Sequence, residues 1–298
     1  MELERSLTLQ DIRSQKEQPF SLAFEQLRQA MYGEHPYGVS VMGTEATASE
    51  LRRSDLEQYY QNYFRPDNMV ISVAGRVTPE EVIKQVEQVF GDWQPKGMLP
   101  TKPPLPSLIS QPCQCKISQE TQQSVVMLGY LASSVQERDH AALKLINTYL
   151  GNGLSSRLFV ELREKRGLAY DVSAFYPARQ LTSSFVTYMG TAPENTQIAI
   201  DGLRTEVDRL CSSQLSNDEL QVAKNKLLGQ YALGKQTNSQ LAQIYGWYET
   251  LGLGIEFDVE FQKEIASVTP EVIQAAAKRY FIEPYISLIG PDQAINHL

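Results

Sequence analysis

Gly151-Asn-Gly-Leu-Ser-Ser-Arg-Leu-Phe-Val-Glu-Leu-Arg-Glu-Lys-Arg-Gly-Leu-Ala-Tyr-Asp-Val-Ser-Ala-Phe-Tyr176 reads as a loop, a helix, a stop and a strand. Gly151 and Gly153 bracket a tight turn, because glycine takes positive φ without steric cost. Ser155 or Ser156 is placed to cap the following helix, and Leu158, Phe159 and Leu162 share one of its faces. Lys165 and Arg166 sit at the negative end of the helix dipole, with Gly167 suited to the left-handed position just past it. Tyr170, Val172, Ala174 and Tyr176 then alternate with Asp171 and Ser173, the period of a strand. A helix that turns back into a strand brings its last turn near the strand's first residues. Arg163 and Tyr170 can thereby reach one spot, where a guanidinium fork and a phenol hold a carbonyl oxygen or the oxyanion made from it. The same spacing also suits a surface arginine and a half-buried tyrosine with no shared task.

This stretch closely resembles the C-terminal homology domain of the M16 peptidases, the family of pitrilysin and the mitochondrial processing peptidase. There a glycine-containing loop precedes Ser-Arg-Leu and then Arg-Glu-x-x-Gly-Leu-x-Tyr, which Ser156-Arg157-Leu158 and Arg163 to Tyr170 match. The resemblance implies an α+β fold of paired, sequence-divergent domains of the LuxS/MPP-like type, each a mostly antiparallel sheet packed with helices. It also implies that Arg163 and Tyr170 are the pair that contacts the bound peptide across from the zinc.

Upstream, residues 1–31 read as helix with a break at Pro19, and Phe20, Phe24 and Leu27 begin a second apolar stripe. His35-Pro-Tyr-Gly is a turn by composition, with a structural role expected for His35. Ser54-x-x-Glu57 has the form of a capping box. Leu56, Tyr59, Tyr60, Tyr63 and Phe64 follow at helical spacing and predict a buried face. Met69–Ala74 is an apolar strand by pattern, and Thr78-Pro-Glu-Glu opens a helix whose Val82, Val86, Val89 and Phe90 predict a second buried stripe, with Trp93 packed beneath.

Residues 94–112 hold Pro95, Pro100, Pro103, Pro104, Pro106 and Pro112, a semi-rigid linker that divides the chain into 1–105 and 106–298. Beyond it, strands are expected at Ser124–Leu131, Ser183–Gly190 and Tyr285–Ile289. Helices are expected at Glu137–Leu150 and Glu194–Cys211, over one long segment from Ser216 to about Leu251, and after Thr269-Pro-Glu. Leu56 to Gly75 and Ile273 to Gly290 share one order of features: helix, Tyr-Phe, proline, apolar strand, glycine. That echo predicts two copies of one fold, the first lacking its opening half.

Composition narrows the function. A net charge of −8 disfavours nucleic acid as a partner, and no apolar run reaches membrane-spanning length. Cys113, Cys115 and Cys211 form no C-x-x-C pair, so neither a disulfide framework nor a cysteine zinc site is expected, and a reducing compartment, the cytoplasm, fits best. Met1-Glu-Leu-Glu-Arg is no signal peptide and reads as mid-helix.

The family's zinc chemistry needs His-x-x-Glu-His, in which two histidines bind the metal and the glutamate is general base. His35, His140 and His297 are the three histidines, and none has a second four residues away. The family's distal ligand lies in Glu-Arg-x-x-x-x-x-Glu. Here Glu4-Arg5 begins that pattern, but Asp11 stands where the final glutamate belongs. Asp11 is thus a candidate degenerate third ligand and Glu4 a candidate outer-sphere partner; both also read as solvated acids on a helix. Aspartate is shorter by about 1.5 Å, while metal distances tolerate only about 0.2 Å. The chain alone is therefore expected to hold no stoichiometric zinc. Two accounts fit: a truncated copy whose upstream part carries the zinc motif, or a non-catalytic partner subunit. Either makes the chain the substrate-binding half of a zinc metallopeptidase, working with a zinc-bearing partner subunit or as a homodimer on peptide substrates. The alternative is a scaffold of the same fold without hydrolysis.

Overall fold

The computed structural model describes residues 1–95, 97–101 and 104–296; Pro103 of the linker and His297 lie outside them. Helices α1 (Glu2–Glu17) and α2 (Pro19–Tyr32) are separated by Gln18 alone, and Pro19 takes the first helical turn, where its missing N–H is not needed. α3 (Glu45–Glu50), α4 (Arg53–Tyr63) and α5 (Pro79–Phe90) follow. Thr44 caps α3 and Thr78 caps α5. The Ser54–Glu57 box does not form. α4 starts earlier, so Asp55 accepts from the Arg52 N–H at 2.7 Å and Glu57 pairs with Arg53 instead.

The second part runs β1 (Gln114–Ser118), β2 (Ser124–Ala132), α6 (His140–Gly151), β3 (Ala169–Phe175), β4 (Ser183–Thr191), α7 (Thr196–Ser212), α8 (Asn217–Leu233), α9 (Asn238–Thr250), α10 (Phe257–Ser267), α11 (Pro270–Tyr280), β5 (Tyr285–Gly290) and α12 (Asp292–Ile295). The helical segment expected from Ser216 to Leu251 is broken after Leu233, and Thr237 caps the new helix α9 through Gln240. Tyr231 of α8, Tyr248 of α9 and Lys235 between them converge on Asp258 of α10, tying the three helices together.

One sheet in the order β1-β5-β2-β4-β3 holds this part together, β1 parallel to β5 and every other pair antiparallel. The fold is α+β, as expected. β2 reads as an unbroken apolar run because both of its faces are covered. On one face Val126, Leu128 and Met189 meet Leu143 and Ile146 of α6, Leu203 of α7 and Ala277 of α11. On the other face Val125, Met127 and Val186 meet Ala23, Leu27 and Met31 of α2. Gly129 permits that approach, since a Cβ there would stand 2.7 Å from the Met31 sulfur. α2 precedes the division at residue 105 yet forms one wall of this core.

The first part departs from expectation. Leu56, Tyr59, Tyr60, Tyr63 and Phe64 are exposed, Tyr59 by 59%. Tyr59 packs on Tyr63 and Tyr60 on Phe64. Met69–Ala74 is extended but joins no ladder among the described residues. Its Ser72 leans on α9, where a Cβ at Gly246 would stand 3.1 Å away. On its other side Met69 and Ile71 border a cleft of about 240 Å³ with Val86, Phe90 and Trp93. Val89 is 72% exposed rather than buried, and Val82, Val86 and Trp93 are only half-buried. An amphipathic stripe is buried only where a second layer meets it. Here both faces of the one sheet are already occupied.

Tyr59→Ser and Phe64→Ser are therefore expected to shift stability by no more than about 0.5 kcal/mol, although both look like core residues. In urea titration the midpoint should stay put, while binding of the apolar dye ANS falls. A loss of several kcal/mol would mean the stripe is covered in solution.

Candidate functional site

The loop after α6 is seated on β3. Gly151 lies so close to Ala174 that an added Cβ would stand 2.6 Å from its Cα, and Ser173 donates its hydroxyl to the Gly151 carbonyl. Close approach, not positive φ, is what requires glycine here; Gly153 takes the positive φ, +73°. The helix then opens with Val160 N–H on the Ser156 carbonyl at 3.0 Å. Neither serine caps it. The Ser156 hydroxyl is buried without a partner among the described residues, and the Ser155 hydroxyl accepts from Lys226 at 3.3 Å.

Phe159–Glu164 is a π-helical turn rather than the expected α-helix, with Lys165 N–H reaching back to the Val160 carbonyl at 3.0 Å. Such turns hold one extra residue and recur at functional sites. Leu158 and Leu162 are buried against the core, as their spacing indicates. Gly167, at φ +63°, reverses the chain: its N–H meets the Arg163 carbonyl at 3.1 Å, and Leu168 N–H meets the Leu162 carbonyl at 2.9 Å.

Charges along this turn are unevenly paired. Arg157 binds Glu206 at 2.7 Å and Glu161 at 2.9 Å, and Lys165 binds Glu161 at 2.7 Å. The Lys165 hydrogen bond, working against partial burial, holds the Glu161 carboxyl below its usual range. Sequence reasoning took Arg157 only as part of a motif; its four-residue spacing to Glu161 was the available signal. Arg163 is exposed, and no carboxylate among the described residues meets it. Its guanidinium lies 5.1 Å from the Phe159 ring centroid, which orients the fork without neutralising it.

Tyr170 is the extra residue of a β-bulge. β3 pairs Ala169 with Thr191 and Asp171 with Gly190, leaving Tyr170 unmatched. The strict alternation expected from Tyr170 to Tyr176 therefore begins only at Val172. A bulge re-aims the side chain it carries, and Tyr170 is 59% exposed on the end strand of the sheet. Its hydroxyl makes no hydrogen bond among the described residues, and its ring borders an open hollow with Pro19 and Gln123. Arg163 and Tyr170 share the turn about Gly167 and both face solvent, and no side-chain contact joins them.

Glu4 and Asp11 are exposed on α1. Two turns of helix separate them by about 10.5 Å, so they do not share one ion unaided. Arg5 between them donates to the Ser49 and Leu51 carbonyls and anchors α1 to the end of α3. No three His, Cys, Asp or Glu side chains among the described residues are grouped to hold a metal. The residues present do not fit a zinc site, which takes at least three protein ligands.

The two described histidines are built into the fold. His35 is buried and accepts the Tyr37 N–H at Nδ1, 3.1 Å away, at the start of the short 3-10 turn Pro36–Gly38. His140 is buried beside the Tyr176 hydroxyl at 3.1 Å, and Tyr176 donates to the Ser133 carbonyl at 2.8 Å. Burial, aided by the Lys144 charge, pulls His140 down to about 3. The unfolded chain then binds a proton near pH 6.5 that the folded chain refuses. Stability from this site is complete above about pH 6.5 and drains as pH falls toward 3. The urea midpoint is expected to drop between pH 7.5 and pH 4.5, and His140→Gln should flatten that drop. An equal slope in the variant would assign it to other groups.

Residues 50–227 match the family model described as the peptidase M16 inactive domain. The chain is 29% identical over 297 residues to the uncharacterised zinc protease YmxG of Bacillus subtilis (strain 168), covering 97% of this chain and 70% of that protein. It is 30% identical over 301 residues to the uncharacterised zinc protease SCO5738 of Streptomyces coelicolor, covering 98% and 65%. Its fold resembles the crystal structure of a peptidase M16 inactive domain from Pseudomonas fluorescens with a TM-score of 0.83 at 22% identity, covering 96% of this chain and 69% of that one. The chain thus spans about two thirds of the length of these proteins. No helix among the described residues is long and apolar enough to cross a membrane.

Proposed function

Because this chain belongs to the peptidase M16 family, we propose that it is the substrate-holding half of a zinc endopeptidase assembly acting on unstructured peptides. Arg163 with its fork and Tyr170 with its hydroxyl donate to the backbone carbonyl of the bound peptide that becomes an oxyanion. The carrying observation is that Arg157 and Lys165 are neutralised by Glu161 and Glu206 while Arg163 meets no acid among the described residues. An exposed cation in that state, on the same turn as a phenol whose hydroxyl makes no hydrogen bond among the described residues, presents donors that a peptide backbone can accept. Metal and nucleophile come from outside these 298 residues, which contain no His-x-x-Glu-His. A zinc-bearing family member is the fitting partner.

The test is titration of a fluorescently labelled unstructured peptide onto the chain. Hydrogen bonds to a charged donor are worth about 1.5–3 kcal/mol. Arg163→Ala should therefore weaken binding by about tenfold or more. Equal affinity in the variant would favour a scaffold in which the pair is only surface.

A further inference from the structure

At the opposite end of the sheet from Tyr170, the chain enters β1 through Cys113-Gln-Cys115. Residues two apart on an extended chain project to the same side, and the two sulfurs stand 3.7 Å apart, in van der Waals contact. Cys113 is exposed and Cys115 half-buried, and both are free thiols. Cys211 is elsewhere, on α7, with its sulfur against the Phe281 carbonyl.

We propose that Cys113 and Cys115 form a thiol–disulfide exchange site for low-molecular-weight disulfides. The exposed Cys113 sulfur, as thiolate, attacks one sulfur of the small disulfide. A bond forms to that half, and the other half leaves as a thiolate that takes up a proton. The Cys115 sulfur, giving up its proton, then bonds to Cys113 and expels the second half as thiol. Two protein thiols are oxidised, one disulfide is reduced to two thiols, and the two protein protons end on them.

A strand rise of about 3.3 Å per residue puts the two Cα atoms about 6.6 Å apart, at the long end of the disulfide range of about 4.4–6.8 Å, so the bridge closes with a tightening of the chain at Cys113. Cys113 lies just outside β1, where its one ladder tie is the Ile286 N–H on its carbonyl at 2.9 Å. β1 is an end strand, so no neighbour on its outer side resists a small tightening. Burial, then the adjacent Cys113, pushes the Cys115 thiol up. That suits Cys115 to the second step and leaves the first to Cys113.

The experiment incubates the full chain with oxidised glutathione and reads intact mass, followed by peptide mapping. The wild type should lose the mass of two hydrogens and carry no adduct, and dithiothreitol should restore it. Cys115→Ser should stop with one glutathione on residue 113. Cys113→Ser should react at least about tenfold more slowly, and Cys211→Ser should behave as wild type. A stable adduct on the wild type, a bridge to Cys211, disulfide-linked dimers, or no mass change would each overturn the proposal.

Discussion

Arg163→Ala is expected to lower peptide hydrolysis by the assembled enzyme about a hundredfold in kcat/KM, the scale of losing one donor at a developing oxyanion. The prediction follows from what Arg163 lacks. Among the described residues its side chain has no acid to release when substrate arrives, and the Phe159 ring already restricts its direction. Arg163→Lys should recover little, because a single ammonium cannot reproduce a planar fork. Tyr170→Phe should cost about tenfold, the worth of one neutral hydrogen bond in a desolvated site. The double variant should fall short of the product of the two losses if both groups hold one carbonyl. Unchanged hydrolysis in both single variants would remove the pair from the reaction and leave the chain a scaffold.

Gly151→Val is expected to destabilise the fold by about 3 kcal/mol or more, at the upper end of overpacking costs. A side chain at residue 151 meets backbone atoms of Ala174, not a flexible side-chain tip. Either the end of α6 lifts from β3 or β3 leaves β4. Lifting would also break the Ser173 hydrogen bond to the Gly151 carbonyl and displace the loop that leads to Arg163. The variant should therefore lose midpoint in urea and peptide affinity together. Loss of affinity at full stability would place the effect in the loop alone.

Much of the second half was legible because its patterns end in contacts. The stop at Gly167, the strand after it and the apolar face of the helix before it all occur. The turn's π geometry and the bulge at Tyr170 were not legible. Each inserts one residue into a regular ladder, and neither insertion leaves a mark in residue type. The echo between Leu56–Gly75 and Ile273–Gly290 carries one order of residues into two different surroundings. In the second copy Ile273 and Ala277 are buried against α6 and α7, and β5 sits between β1 and β2. In the first copy the same order of residues gives an exposed stripe and a segment that joins no ladder among the described residues. Periodicity states which face seeks cover; it does not state whether a neighbour exists to provide it. At the site, Arg163 and Tyr170 were nameable, and the four-residue spacing of Glu161 from Arg157 and Lys165 was a signal for their pairing; the reach of Arg157 to Glu206 on α7 was not.

The seating of α2 on the far side of the sheet decides how this molecule comes apart. Proteolytic nicking within the proline-rich stretch would produce two fragments that remain clasped, because Leu27 and Met31 stay wedged against Val125, Met127 and Val186. A polypeptide trimmed to start at residue 106 would instead show that greasy wall to water and clump. Swapping segments between relatives should therefore place the seam ahead of Pro19, not at the prolines.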